Sequence, residues 1–134
     1  MDLRIVKTRE LIVEAFFDCL RTMNFPQVTV KHMTQMARIN RSTFYKHFED
    51  KYQLRDYVLN GILEDFETNL ETDFLFEKDL EDETYVQKLE LSLENFRRYK
   101  QEYEILWNQL LLGRNLFEEM IEAGAAKLEQ QIRQ

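Results

Sequence analysis

Apolar positions in this chain step by threes and fours almost from its first residue. Val6, Ile12, Ala15, Phe16, Leu20 and Met23 fall on one face of a helix predicted over residues 3–23. Asn24 follows where a left-handed residue commonly closes a helix, and Pro26 blocks any continuation. A short helix comes next, with Thr29 as its N-cap and Val30, Met33, Met36 and Ala37 turned to the core. Asn40 is placed to cap a second short helix over residues 41–48, in which Phe44 and Phe48, four apart, sink together into the core. Asp50 and Gln53 then form a capping box for a much longer helix.

Two short helices joined by a tight turn and clamped between longer ones make a helix-turn-helix. Beyond residue 60 the same periodicity continues. Leu89, Leu93, Phe96, Tyr99, Tyr103, Leu106 and Leu110 predict one long amphipathic helix from Tyr85, or two broken near Lys100. Gly113 interrupts, and NLFEEMIEAGAAKLEQQIRQ resumes a helical pattern. With three Gly and one Pro in 134 residues there is little turn punctuation, so the fold class expected is all-α. A hydrophobic content of 44% makes a folded chain, not a disordered one.

Charge divides the chain. Residues 1–60 hold ten Lys and Arg against seven acids, a balance of +3, whereas the remainder carries eight bases and eighteen acids, a balance of -10. A mildly basic head on an acidic body suits a nucleic-acid-binding module joined to something else. The division expected is a head over residues 1–50 and a helical body over 51–134. Within the head, Arg41, Ser42, Tyr45 and Lys46 face outward on a helix slim enough for a DNA major groove. Thr43, Tyr45 and Lys51 are placed to hold phosphates at its edges.

Other chemistries are poorly supplied. His32 and His47 are the only histidines, without a neighbouring Cys or a metal-ligand spacing, so neither a metal site nor a cofactor is expected. Gly61, Gly113 and Gly124 are isolated, which leaves no glycine-rich phosphate loop. The chain reads as a non-enzyme. Cys19 stands alone and reads as a buried thiol in a reducing, cytoplasmic compartment. The N-terminus lacks the apolar run of a signal peptide, and no stretch approaches the roughly twenty apolar residues of a membrane span, so no membrane partner is expected. The acidic run at 77–83 reads as a solvated loop or helix start.

The segments TRELIVEAFFDCL and VTVKHMTQMARINRSTFYKHFEDKYQL resemble the N-terminal DNA-binding domain of the TetR family of bacterial transcriptional regulators. Thr29 matches the threonine that opens the family's second helix. Thr43, Phe44, Tyr45, Lys46, His47 and Phe48 match its recognition helix, and Lys51 the lysine that starts its fourth. One position departs: Arg38 stands where the family usually has Gly, and a left-handed conformation there costs about 1 kcal/mol. The segment LENFRRYKQEYEILWNQLLLG resembles the C-terminal regulatory region of a subgroup common in Gram-positive bacteria.

The resemblance implies a ligand-responsive repressor that binds a palindromic double-stranded DNA operator as a homodimer. It implies DNA contacts from Thr29, Arg41, Ser42, Thr43, Tyr45, Lys46, His47 and Lys51. It also implies a body that binds a small-molecule effector and dimerises, in which Phe66, Phe96, Tyr99, Tyr103 and Trp107 are the leading pocket linings, with Phe74, Phe76, Phe117 and Met120 behind them. Tyr103 and Trp107, four apart, either share a pocket wall or pack into the core, the latter being the more ordinary fate of such residues. Family members usually run longer, and this chain stops at KLEQQIRQ in mid-pattern, so a truncated or unusually small body is expected. A helical protein-interaction module that keeps the fold without strong DNA binding is the alternative.

Overall fold

The computed structural model describes residues 2–70 and 83–133, and among them there is helix and no strand. The elements are α1 (Leu3–Leu20), a 3-10 turn (Phe25–Gln27), α2 (Val30–Ala37), α3 (Arg41–His47), α4 (Lys51–Asn69), α5 (Glu83–Arg98), α6 (Lys100–Trp107) and α7 (Leu116–Arg133). The all-α expectation holds. The periodicity from Tyr85 resolves into two helices with the break at Tyr99, beside the expected Lys100. Phe74, Phe76 and the acidic run short of Glu83 lie outside the described residues.

The chain divides into two compact units. One comprises Met1–Leu59 with Gln101–Gly113, the other Asn60–Lys100 with Arg114–Gln134.

In the first unit, α1 begins where the Asp2 carboxylate accepts the Arg4 N–H at 2.9 Å, which satisfies an otherwise orphaned donor. Its inner face is Ile12, Ala15, Phe16, Phe17, Cys19 and Leu20, all buried, and α2 packs on α1 and on α3. Phe16 and Phe44 are fully buried, each removing apolar surface worth about 1.5–3 kcal/mol. Cys19 is buried as expected, and burial pushes its thiol pKa up, with Asp18 adding to the effect.

Three details of this unit depart from the pattern. Helix α1 ends a turn before Met23, and Asn24 is extended (φ -76°, ψ 151°), not left-handed. The reason is a residue far along the chain: Gln109 donates its side-chain amide to the carbonyls of Leu20 (2.9 Å) and Met23 (3.0 Å) and accepts the Phe25 N–H (3.0 Å). A left-handed cap is therefore unnecessary, and Pro26 sits comfortably in the opening of the 3-10 turn. Met36, expected in the core, is 53% exposed, while Thr34 is buried instead. An eight-residue helix can turn only a narrow strip inward, and the Thr34 hydroxyl tolerates burial by donating to the Lys31 carbonyl at 3.2 Å.

Gly113 closes this unit at φ +86°, a conformation that favours glycine. A Cβ there would also come within 2.7 Å of Arg55 Nη1, which donates to the Leu112 carbonyl at 3.1 Å.

In the second unit, Ile62, Phe66, Leu116 and Met120 are buried, and the Phe66 and Phe96 rings meet edge to face at 5.9 Å. A buried amide, Asn95, donates to the Asp65 carboxylate at 3.1 Å, and Arg98 reaches the same carboxylate at 3.4 Å. Arg114 pairs with Glu119 at 2.6 Å and bonds the Asn60 side chain at 2.9 Å. Lys127 caps the end of α4 through the Leu70 and Glu67 carbonyls.

Candidate nucleic-acid interface

The site is built from the start of α2 to the start of α4. Thr29 caps α2: its hydroxyl oxygen accepts the His32 N–H at 3.1 Å, and His32 Nδ1 accepts the Thr29 N–H at 3.2 Å. This is a reciprocal capping box with a histidine in the place usually held by Glu or Gln. Helix α2 ends at Arg38, which adopts φ 57° and ψ 46°. Arg38 is the non-glycine residue with positive φ among those described, at the position where the resemblance led us to expect Gly. The Ile39 N–H then closes back on the Thr34 carbonyl at 3.0 Å, and Asn40, extended, opens α3. Asn40 makes no side-chain capping bond, so it supplies the extended backbone without the expected hydrogen bond.

Helix α3 is anchored by Phe44 and Phe48, whose rings lie 5.9 Å apart and are both buried. With that side committed inward, the helical repeat leaves Arg41, Ser42, Tyr45 and Lys46 exposed on the other and Thr43 half-buried. The Tyr45 ring stacks edge-on to Phe44 at 5.5 Å while remaining 54% exposed, which steadies the phenol. Helix α4 then starts with Asp50 accepting the Gln53 N–H at 2.8 Å, and Gln53 accepts the N–H of Glu49, one residue before the expected partner.

Two members of the expected contact set are engaged elsewhere. His47 is half-buried, and its Nδ1 accepts from Arg9 Nε at 3.4 Å. Burial pushes its pKa below the ordinary value of 6.5, and the neighbouring Arg9 and Lys46 push it the same way. Its ring thus braces α3 against α1, with the Arg9 guanidinium also lying 5.5 Å from the centre of the Tyr57 ring. Lys51 is half-buried, and its ammonium is bonded to three backbone carbonyls, those of Phe25, Pro26 and Val28.

A further signal is in the sequence. Between Asp18 and Glu49 the chain holds no acid, yet it holds Arg21, Lys31, Arg38, Arg41 and Lys46. The two short helices and their turn are therefore uniformly cationic inside a chain of formal net charge -7. Gln109 and Arg9 were missed as supporting residues. Nothing local announces either, since their partners lie 84–89 and 38 residues away.

The expected pocket linings are divided. Phe66, Phe96 and Tyr99 belong to the second unit, and Tyr103 and Trp107 to the first. Phe66 and Phe96 are brought together, Tyr99 and Phe117 are half-buried, and Met120 is buried. Tyr103 is buried but Trp107 is 70% exposed, so of the two readings of Trp107, pocket wall or packed core, the core one does not hold. Trp107 is the last residue of α6, and Leu110 and Leu111 beyond the helix are also exposed. Among the described residues no helix is long and apolar enough to cross a membrane, and no cluster of three or more metal-ligating side chains occurs.

Comparison with known proteins places two curated relatives beside this chain. It is 36% identical over 55 residues to the uncharacterized HTH-type transcriptional regulator YxbF of Bacillus subtilis strain 168, a match covering 40% of this chain and 14% of that protein. It is 23% identical over 112 residues to DhaS of Lactococcus lactis subsp. lactis strain IL1403, an HTH-type dhaKLM operon transcriptional activator, covering 78% of this chain and 58% of DhaS. The chain thus spans less than two thirds of either relative. No protein-family model matches it, and no solved structure does.

Proposed function

We propose that the chain is a TetR-like, DNA-binding transcriptional regulator, a ligand-responsive repressor that binds a palindromic operator as a homodimer. The observation that carries this reading is α3. Phe44 and Phe48 pin one side of it, and the opposite side offers Arg41, Ser42, Tyr45 and Lys46 to solvent in a stretch free of acids. Arginine and lysine at such positions bond guanine edges, serine and tyrosine hydroxyls bond phosphate or base, and a helix of this kind fits the major groove. The similarity to two HTH-type transcriptional regulators supports a DNA-binding regulator and not an enzyme.

Dimerisation follows from economy of contact: one short recognition helix offers few base contacts, and two-fold pairing doubles them at half-sites one helical turn apart. The effector is an apolar small molecule received by the second unit, with Phe66, Phe96 and Tyr99 as its contacts. Its binding shifts the population between a DNA-competent and a DNA-incompetent state. The activator named among the relatives favours a second output, activation from the same operator contact.

The test is selection of duplexes from a randomised pool by the purified protein, followed by polarisation titrations across salt. The reading expects a selected site with two-fold symmetry and an affinity that falls linearly in log–log coordinates as salt rises. A reporter carrying that site beside a promoter separates repression from activation. Failure to enrich any sequence contradicts the reading.

A further inference from the structure

Between α1 and α2 the chain passes through the 3-10 turn Phe25–Gln27 and Val28, which lead directly into the cap of α2. Val28 immediately precedes Thr29, the cap of α2, and α2 in turn packs on α3. Three carbonyls of this stretch converge on one atom. Lys51 Nζ donates to the Phe25 carbonyl at 2.9 Å, to that of Pro26 at 3.1 Å and to that of Val28 at 2.9 Å. An ammonium has three N–H donors and no acceptor, so in this arrangement every donor is spent on backbone.

The ammonium also lies 4.7 Å from the centre of the Phe25 ring and 5.5 Å from that of Tyr52. Phe25 is itself buried against Phe16, its ring 6.2 Å away. A lysine aimed at phosphate needs a free, solvated head, and this one is folded inward over an aromatic floor. Burial lowers its pKa, while the three acceptors and the ring faces favour the charged form.

We propose that Lys51 is a positioning residue that fixes the start of α2 against α4, and through α2 the outward face of α3, without touching phosphate. The inference rests on the DNA-binding reading above, and it replaces the phosphate contact expected of Lys51 from the sequence. A point charge that leaves the interface and one that leaves a scaffold differ in their salt dependence. Loss of a phosphate contact lowers the slope of log K against log salt by about 0.9. Loss of a positioning group weakens the complex and leaves the slope alone.

The experiment uses the full chain, a duplex selected by the wild type, and the variants Lys51→Met and Lys51→Arg. Amide hydrogen exchange is followed at residues 28–33 in the free proteins. Lys51→Met is expected to speed exchange there and to weaken binding about tenfold with an unchanged salt slope. Lys51→Arg is expected not to rescue, because a planar guanidinium cannot direct three donors onto three carbonyls from one point. Should Lys51→Met fail to fold, Lys51→Arg decides alone, since arginine keeps a phosphate contact but not this lock. A slope lowered by about 0.9, full binding by Lys51→Arg, or unchanged exchange in Lys51→Met overturns the proposal. A wild type that selects no duplex contradicts the DNA-binding reading itself, while the exchange data still report on the lock.

Discussion

The two units of this protein hold their helices by different means. In the first, polar side chains reach backbone: Thr29 and His32 cap α2, Lys51 gathers three carbonyls, Gln109 serves three backbone groups, and Arg55 holds the Leu112 carbonyl. Around them is a core in which Ile12, Phe16, Met33, Phe44, Leu54 and Leu59 are almost wholly buried. In the second, side-chain pairs stand beside the Lys127 cap on α4: Asp65 with Asn95 and Arg98, and Arg114 with Glu119 and Asn60. Its buried apolar set is Ile62, Phe66, Leu116 and Met120. Backbone-directed bonds fix the path of a chain, whereas side-chain pairs hold elements that can exchange partners. The difference suits the function proposed above, in which the first unit presents one geometry to DNA and the second responds to a ligand.

The comparison breaks most readily at Phe44. If the first unit is a closely packed frame, Phe44→Ala costs about 3–5 kcal/mol, a large part of the total stability of a small domain, and denaturant unfolding should show it. A loss below about 1 kcal/mol would mean the frame relaxes around the gap.

The second unit is probed at its polar centre. Asn95 is 1% exposed and bonded to a carboxylate, so Asn95→Ala should cost about 1.5–3 kcal/mol. Arg98 on the same carboxylate is 55% exposed, and Arg98→Ala should cost no more than about 1 kcal/mol. Equal losses at the two positions would show that burial does not set the worth of these bonds.

Arg38 runs the other way. It occupies a left-handed conformation that disfavours a side chain, so Arg38→Gly should stabilise by about 1 kcal/mol, read as a rise in melting temperature. Destabilisation would mean that the arginine side chain contributes more than its backbone costs.

What the sequence made legible follows from distance along the chain. The Thr29 cap, the Phe44 and Phe48 anchor, the buried Cys19 and the outward set on α3 depend on neighbours within a few residues, where helical periodicity is a sufficient guide. Asn24 and Met36 were misread because each was settled by something remote or by limited space: Asn24 by Gln109, Met36 by the narrow inner face of α2. Trp107 was read as pocket wall or core because large aromatics usually pack inside, yet it is exposed, and the polar Gln109 two residues on ties the segment down. Lys51 matched the expected position and spends its donors differently, on carbonyls 23–26 residues earlier.

The smallest expected effect concerns His47. Its folded pKa is depressed below 6.5 by burial and then by Arg9 and Lys46, so the folded state binds this proton less readily than the unfolded one. The associated stability is present above the ordinary histidine pKa and is lost as pH falls through the lowered one. Melting profiles over about pH 7.5 to 5 should fall more steeply for the wild type than for His47→Gln. Superimposable profiles would mean that the Arg9 brace survives protonation.

The central claim, that the exposed face of α3 meets the bases of DNA, is tested most directly by Arg41→Ala and Lys46→Ala titrated on a duplex selected by the wild type and on random duplex in parallel. If either side chain reads a base edge, its variant folds normally and loses about 1–3 kcal/mol on the selected duplex, with a distinctly smaller loss on random DNA. Variants of both residues that bind the selected duplex as tightly as the wild type would contradict the account.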